Sequence, residues 1–554
     1  MKRTYIILTI CGLILSACSD FLKEESRTEI EKQDFMNTAS EAETVLLGSY
    51  RSLIEEGTYA LNLSIIFPLG TDIAQVEGHT TENWRIVPTN AFSATQSEIQ
   101  ESWKALYEGI YRTNDFLEKC AAKIESWVPE EKNLGIIYMA EARALRALFY
   151  FELVRRWKNI PLITETSQSL LHPSQFTQAA PEDVYAFIEK DLRYAVENLP
   201  YATSDTFRKD NSYRFSKGAA MGLLTKVYAT WAGYPLLDSS KWEAAATIAQ
   251  ELIQSNKHDL LPDYETLWEN TCNGIWDPTE SLIEVSFYSP TTGSGNADPC
   301  GRIGKWNGVT TTSIAGERGR CAANVKVVYT FSRDWKGPEH ANDKRQELSI
   351  ANYLHDEKGD FRTRVKNEND VNKQKEMQNY NPAKWDIVKY VKDANNVIND
   401  DKSNVNWYVL RYSDVLLLYA EALNEWKGGP TTDAYAALNK VRSRGYAGQS
   451  GYEISGLDQK GFREAIRQER AFELAFEGHR KLDLIRWGIY YETIRKTDRK
   501  LDEWWVPYYD SKTKEIVNYR YTVAKHTVKG KHELLPIPQR ELDLCTQFKQ
   551  NPNW

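Results

Sequence analysis

Two tryptophans stand in polar loops, away from any helical stripe that would place them in a core. Trp84 lies in the loop 80–85, and Trp306 lies in the glycine-rich loop 301–308. An indole ring can stack on an apolar ligand face, such as the C–H face of a sugar ring. Both residues are therefore candidate platforms for a saccharide. The alternative, that each ring packs its own loop onto the core, remains open.

Polar side chains could bind the hydroxyl rim of the same ligand, because hydroxyl groups both donate and accept hydrogen bonds. Residue type and loop position select four candidates, namely Asp72, Asn83, Arg364 and Tyr390. Trp276 is a further candidate ring, although the strand-like residues that follow it offer a core on which it could pack instead.

The sequence contains none of the common catalytic signatures. Its eight histidines form no HExxH, and there is no GxSxG elbow, no phosphate-binding loop and no dinucleotide fingerprint after a strand. Glu469 and Glu473 could suggest a pair of catalytic acids, but such pairs are common by chance among 77 acidic residues. We expect no catalytic residues, no metal site and no cofactor. The acidic loops could still supply oxygen ligands to a structural Ca²⁺.

The N-terminus has the pattern of an export signal. Lys2 and Arg3 precede an apolar run over 5–15, which is followed by Ser16, Ala17 and Cys18. The run is shorter than the ~20 residues of a spanning helix. Leu15 to Cys18 fits a bacterial lipobox, so we expect a signal peptide over 1–17 and acylation of the Cys18 thiol. An ordinary signal peptide that happens to contain a cysteine is the alternative.

Charge and cysteine content limit the partners and the covalent links. The formal net charge of −8 becomes −10 without residues 1–17, which contain Lys2 and Arg3 and no acid. An acidic chain with dispersed charges argues against a nucleic-acid partner. Beyond Cys18, five cysteines remain, and Cys300 and Cys321 could form a disulfide. The pairing cannot be read from the sequence, and the odd number leaves at least one thiol free.

Helices must position most of these residues. Apolar side chains recur at helical spacing from Trp103 onward and over 139–157, 181–198, 216–231, 241–254, 412–423 and 432–444. Consecutive helices suggest hairpins, and the last pair has roughly the 34-residue length of a tetratricopeptide repeat. The sequence therefore predicts a mainly α fold.

The pattern divides the chain into parts. A lipidated linker is expected over 18–34, followed by a helical region over 35–258 that includes an early binding loop at about 60–97. Residues 259–405 have loops, short strands and polar clusters, and they are predicted to be an irregular insertion that carries ligand loops. Helical repeats return over 406–554.

Four segments of the sequence resemble the SusD/RagB family. They are AEARALRALFYFELVRRWKNIPLIT at 140–164, RYSDVLLLYAEALNE at 411–425, IRQERAFELAFEGHRKLDLIRWG at 466–488, and LLPIP at 534–538 with Asn551-Pro552. The resemblance implies a right-handed superhelix of tetratricopeptide-like helix pairs with a loop-rich insertion. It also implies a ligand site built from the early loop and the insertion, the two regions that contain Trp84 and Trp306.

The same resemblance implies a function and a location. The chain would be a glycan-binding lipoprotein on the external face of the outer membrane, attached only through its lipid. It would capture a neutral oligosaccharide or polysaccharide and deliver it to a SusC-like TonB-dependent transporter. One alternative is a peptide-binding lid of a RagAB-type importer. Another is a surface glycoside hydrolase, which would need two carboxylates facing each other across a cleft.

The charged residues of the third segment are expected to be structural. Arg467, Glu469, Arg470 and Glu473 lie within two turns of one predicted helix, where i,i+3 and i,i+4 pairing is possible. Arg345 resembles a structural element of the family.

Overall fold

A computed structural model of the protein describes residues 35–77, 83–204, 213–289, 300–311, 319–356, 358–512, 514–518 and 520–554. Of these described residues, 52% are helical and 7% lie in strands, which confirms the prediction of a mainly α fold. The predicted signal peptide, Cys18 and the linker 18–34 lie outside the described residues. None of the described helices is both long and apolar enough to cross a membrane.

The α-helices of the described residues are numbered in chain order. They are α1 (Ala39–Tyr50), α2 (Ser97–Lys123), α3 (Pro129–Trp157), α4 (Pro181–Asn198), α5 (Lys217–Trp231), α6 (Lys241–Gln254), α7 (Tyr264–Cys272), α8 (Tyr329–Trp335), α9 (Arg345–Ser349), α10 (Gln374–Met377), α11 (Ile387–Tyr390), α12 (Tyr412–Lys427), α13 (Thr432–Gly445), α14 (Gln459–Glu473), α15 (Arg480–Arg486), α16 (Tyr490–Trp504), α17 (Thr522–His526) and α18 (Gln539–Leu544).

The strands are short and pair in antiparallel twos. They are β1 (Ala74–Val76) with β3 (Val325–Val327), β2 (Ser281–Val285) with β8 (Trp407–Arg411), β4 (Ile350–Ala351) with β7 (Asn381–Pro382), β5 (Tyr353–His355) with β6 (Phe361–Thr363), and β9 (Tyr508–Asp510) with β10 (Glu515–Val517).

Local sequence signals explain where several helices begin and end. Pro181 opens α4 at its first position, where a missing N–H costs nothing, and acidic residues follow in the first turn. The hydroxyl of Ser216 caps α5 by accepting from the Ala219 N–H at 3.2 Å. Gly428 ends α12 in the left-handed conformation, with φ +73°.

The long helices pack in series along the chain. The contacts run from α2 to α3, α3 to α4, α4 to α5, and α5 to α6. Helix α6 then packs on α12, which in turn packs on α13 and α14. The residues between α6 and α12 therefore leave the helical series and return to it, and they contain short helices and two-stranded sheets.

Buried ion pairs join the C-terminal helices to this central part. The Glu473 carboxylate accepts from Arg345 at 3.1 Å, from Arg411 at 2.9 Å and from Arg444 at 2.5 Å. These partners lie on α9, β8 and α13, and all four side chains are buried. Glu473 therefore pairs with other elements, so its predicted pairing within its own helix is wrong. The structural role expected for Arg345 is confirmed by its complete burial in these pairs.

Arg470, like Glu473, pairs with residues outside its own helix. It donates to Asp414 at 2.6 Å and to Asp483 at 2.9 Å, and these two acids belong to α12 and α15. Arg470 and Glu473 therefore each join α14 to other elements, because a buried charge must find a partner wherever the packing provides one.

The C-terminal tail is fastened to the end of α3. The Trp157 indole donates to the Pro536 carbonyl at 2.9 Å, and the Asn551 amide donates to the carbonyls of Trp157 at 2.9 Å and Leu535 at 2.7 Å. Two of the segments that carry the family resemblance thus contact each other directly.

Candidate functional site

Backbone pairing brings the early loop to the central part of the chain. In the β1–β3 pair, Gln75 faces Lys326 and Val76 faces Val325. The pairing continues at Glu77, whose N–H donates to the Asn324 carbonyl at 2.8 Å. Residues far apart in the sequence therefore share one surface.

The rings of Trp84 and Trp306 meet on this surface. Their centroids lie 4.6 Å apart, and their planes are inclined by 43°. Trp84 belongs to a short 3₁₀ turn, Asn83–Ile86, and the Trp306 carbonyl accepts from the Val325 N–H at 3.0 Å, next to β1 and β3. Both rings are half-buried, so each keeps part of its surface open to solvent.

A guanidinium group lies beside each ring. The Arg85 guanidinium carbon is 4.6 Å from the centre of the Trp84 ring, and that of Arg302 is 4.9 Å from the Trp306 ring. Such cation–π contacts stabilise the ring orientation. Arg85 also donates to the Glu77 carbonyl at 2.7 Å, which fixes it to the end of β1.

Asp401 holds the second tryptophan in place. Its carboxylate accepts from the Trp306 indole N–H at 2.5 Å and also forms an ion pair with Arg302. Arg302 pairs in addition with Glu56 at 2.9 Å. The indole edge, the guanidinium and the carboxylate therefore form one connected group. Asp401 was not selected from the sequence, where it is one of two adjacent acids in the polar run 395–404.

Comparison with known proteins agrees with this architecture. A family model described as the SusD family matches residues 305–554, and a model described as "Starch-binding associating with outer membrane" matches residues 20–229. A solved SusD homolog from Bacteroides thetaiotaomicron VPI-5482 is 58% identical, with a TM-score of 0.89, over 96% of this chain and 100% of that chain. This chain belongs to the SusD family. The resemblance inferred from the four segments is thereby confirmed.

More distant SusD-family relatives also span nearly the whole chain. SusD-like protein P25 of Formosa agariphila is 27% identical over 98% of this chain and 97% of its own length. A solved protein described as a laminarin binding SusD-like protein is 26% identical, with a TM-score of 0.67, over 93% of this chain and 99% of its own.

Asp72 has a partner within the protein. It forms a bidentate ion pair with Arg480 at the start of α15. Nε of Arg480 donates to Oδ1 of Asp72 at 2.9 Å, and Nη2 donates to Oδ2 at 2.7 Å. Both side chains are largely buried. The pair fastens the early loop of this SusD-family chain to its C-terminal helices, so both carboxylate oxygens already accept hydrogen bonds within the fold.

Tyr390 belongs to the core, which corrects its prediction as a glycan contact. Its side chain is only 3% exposed, and its hydroxyl donates to Glu265 at 3.2 Å. Burial, followed by the charge of Glu265, raises the pKa of Tyr390. The residue lies at the end of α11, where the chain turns it inward.

Arg364 lies at the edge of the paired loops. It donates to the Asn381 side chain at 3.4 Å, and burial lowers its pKa, while the charges of Glu376 and Glu77 act to raise it. The Asn381 amide donates to the Val325 carbonyl at 2.9 Å, so Arg364 lies near β3. The side chain of Asn83 lies outside the described residues.

Trp276 takes part in a separate aromatic contact. Its ring centre is 6.0 Å from that of Tyr213, and the Tyr213 hydroxyl donates to the Gly274 carbonyl at 2.6 Å. The ring is half-buried. The observed partner of Trp276 is therefore Tyr213, not the strand that follows it, and its role as a glycan contact stays a prediction.

Tyr288 is a candidate that sequence reasoning missed. It is 68% exposed, and the next residue, Ser289, exchanges hydrogen bonds of 2.8 and 3.2 Å with the Asn404 side chain. Asn404 lies three residues after Asp401, so this ring projects from a segment that is tied to the support of Trp306. A tyrosine three positions after the apolar strand β2 was the available signal.

Neither Cys300 nor Cys321 forms a disulfide. Both side chains are buried. The Cys321 thiol donates to the Gly304 carbonyl at 2.8 Å, whereas Cys300 packs against Ile398. The two side chains face different neighbours, so the disulfide that the sequence allowed between them is not formed. In the part of the chain that the structure describes, no group of three or more His, Cys, Asp or Glu side chains could hold a metal ion.

Proposed function

We propose that this SusD-family chain is a non-catalytic cell-surface lipoprotein that captures a neutral oligosaccharide or polysaccharide. The contact between Trp84 and Trp306 carries the proposal. Two partly open indole rings, set at an angle and flanked by guanidinium groups, offer apolar faces for sugar rings and donors for their hydroxyls. A relative described as laminarin binding supports a glycan as the ligand.

Delivery to a SusC-like TonB-dependent transporter completes the proposal. The lipobox that ends at Cys18 would attach the chain to the outer membrane with its body outside, and one matching family model is described as associating with the outer membrane. Capture and transfer of a glycan require no bond to be made or broken. For this reason, tryptophan platforms and ordered polar groups suffice, and no catalytic residues are assigned.

The proposal is tested by titrating the purified mature chain with a panel of neutral polysaccharides that includes laminarin. We expect at least one to bind, and Trp84→Ala and Trp306→Ala each to weaken that binding about tenfold, because each removes an aromatic stacking contact. Trp426→Ala, at a partly exposed tryptophan on α12, is the matched control and should leave binding unchanged.

Other outcomes of the same assay would contradict the proposal. Equal binding by the wild type and by both tryptophan variants would show that Trp84 and Trp306 do not form the glycan-binding site. Binding of peptides without any glycan would favour the RagAB-type importer. Release of reducing sugars from a bound polysaccharide would show that the chain is an enzyme.

A further inference from the structure

A second cleft lies along α2, lined by one aromatic stripe of that helix. Trp103, Tyr107 and Tyr111 are spaced four residues apart, so they lie on one face. The C-terminal tail and the residues before α4 close the other sides. The cleft has a volume of about 540 Å³, which is within the range of about 300–1,000 Å³ usual for small-molecule sites.

Aromatic rings from three separate segments reach the open part of this cleft. Tyr111 is 46% exposed, and Phe176 and Phe548 are half-buried. Tyr107 lies deeper, and its hydroxyl donates to the Pro161 carbonyl at 2.8 Å. The rings of Tyr111, Phe176 and Phe548 therefore leave apolar surface accessible at the mouth, while Trp103 and Tyr107 form the floor.

The rim carries charged side chains without partners. Lys104, Glu108 and Arg540 line the cleft and are exposed. Among the described residues, none of the three has a hydrogen-bond or ion-pair partner. The rim thus offers two donors and one acceptor beside aromatic surface. An entirely apolar ligand would use none of these groups, whereas sugar hydroxyls can donate to the carboxylate and accept from the two cations.

The cleft is separated from the tryptophan pair by α2 itself. On the other face of the helix, Ser102 and the Glu98 carbonyl accept hydrogen bonds from the Asn62 amide, at 3.0 and 3.2 Å. Asn62 is two residues after Ala60 in the chain. The Ala60 carbonyl accepts a hydrogen bond from the backbone N–H of Arg302 at 3.0 Å. The loop of Trp306 is therefore attached on the side of α2 opposite to the cleft.

From this arrangement we infer that the cleft between α2 and the C-terminal tail is a second binding site for a neutral oligosaccharide. The inference rests on the proposed function, since it assigns the same ligand class to a second surface. A polysaccharide strand long enough to reach both faces of α2 would be held more tightly than either site alone allows, because the second contact forms within the complex.

The test counts binding sites on the full mature chain by calorimetric titration with laminarihexaose and with maltohexaose. We expect two sites per chain for the hexasaccharide that binds. The double variant Trp84→Ala/Trp306→Ala should retain one site. Tyr111→Ala should weaken that remaining site about tenfold, since it removes one stacking ring. Tyr509→Ala, at an exposed tyrosine on β9, is the control and should retain both sites.

The possible failures are distinguishable. A single site in the wild type, lost completely in the double tryptophan variant, would overturn the second site and leave the proposed function intact. Residual binding that Tyr111→Ala and Arg540→Ala do not change would also overturn it. If neither hexasaccharide nor any polysaccharide of the panel binds to the wild type, the proposed function and this inference both fall.

Discussion

The Asp401 carboxylate accepts a hydrogen bond from the Trp306 indole N–H at 2.5 Å and pairs at the same time with Arg302. Arg302 in turn lies 4.9 Å from the centre of the same indole ring. The acid therefore orients the ring directly and also holds the cation beside it. Asp401 is a positioning residue of the candidate site, and its contribution can be separated from that of the ring.

Asp401→Ala should weaken glycan binding about fivefold. It removes a charge-assisted hydrogen bond that orients the Trp306 ring, and the loss corresponds to about 1 kcal/mol of binding free energy. Trp306→Ala should weaken binding more, because the platform itself is lost. Titration with the bound polysaccharide measures both effects. Asp502→Ala, at an exposed acid on α16, is the control. Unchanged affinity in Asp401→Ala would show that the ring needs no such support.

Glu473→Gln should destabilise the fold strongly. The substitution keeps the shape of the side chain but removes the charge that faces Arg345, Arg411 and Arg444. Removing one partner of a buried ion pair typically lowers the free energy of unfolding by about 3–5 kcal/mol. Chemical denaturation should show a clearly lower unfolding midpoint.

Glu464→Gln provides the comparison for that experiment. Glu464 lies on the same helix, α14, and pairs with Arg467, but it is 60% exposed. An exposed pair contributes about 0–1 kcal/mol, so the midpoint should hardly move. Equal effects of the two substitutions would mean that the buried network contributes no more than a surface pair.

Stability should fall in acid partly through Glu152. Burial alone would raise the pKa of Glu152, but Arg155 and Arg156 outweigh it and lower the pKa to about 2. An unfolded glutamate titrates near 4.3. The stabilisation is therefore fully present above about pH 4.3 and is lost as the pH falls towards about 2.

Glu152→Gln should remove this part of the pH dependence. The variant should be less stable than the wild type at neutral pH, because Arg155 and Arg156 lose a buried partner. The difference in melting temperature between the two proteins should then narrow from about pH 5 to about pH 3. A difference that is constant over this range would contradict the assigned pKa.

Asn551→Ala should loosen the C-terminal tail. The Asn551 amide is 2% exposed and donates to the carbonyls of Trp157 and Leu535. Its loss leaves two buried carbonyls with one partner fewer, at a cost of about 1–3 kcal/mol. Thermal unfolding and hydrogen exchange of residues 534–538 measure the effect. Thr546→Ala, at an exposed position of the same tail, should change neither.

Helix positions were largely predictable from the sequence, because they depend on local patterns. The helix expected over 181–198 is observed with those bounds, and so is that over 241–254. Two other helices begin earlier than predicted, at Ser97 and Pro129, since their first turns have few apolar residues on the core side. Local spacing predicts a helix well but does not locate its first turn.

The partners of charged residues could not be predicted in the same way. The spacing of Arg470 and Glu473 suggested pairing within one helix, but each pairs with other elements in the fold. Tyr390 and Asp72 were selected as polar groups in loops, and the fold gives both of them internal partners. A hydrogen-bond partner far away in the chain leaves no local pattern.

By itself, the sequence determined the family, the helical character and the two loops that contain Trp84 and Trp306, since motifs, helical periodicity and loop composition are local properties. Only the tertiary structure decided that these two rings lie 4.6 Å apart, that Asp401 holds one of them, and that α2 carries an aromatic cleft on its other face. These relationships join segments separated by long stretches of chain, and the β1–β3 pairing and the packing of α2 bring them together.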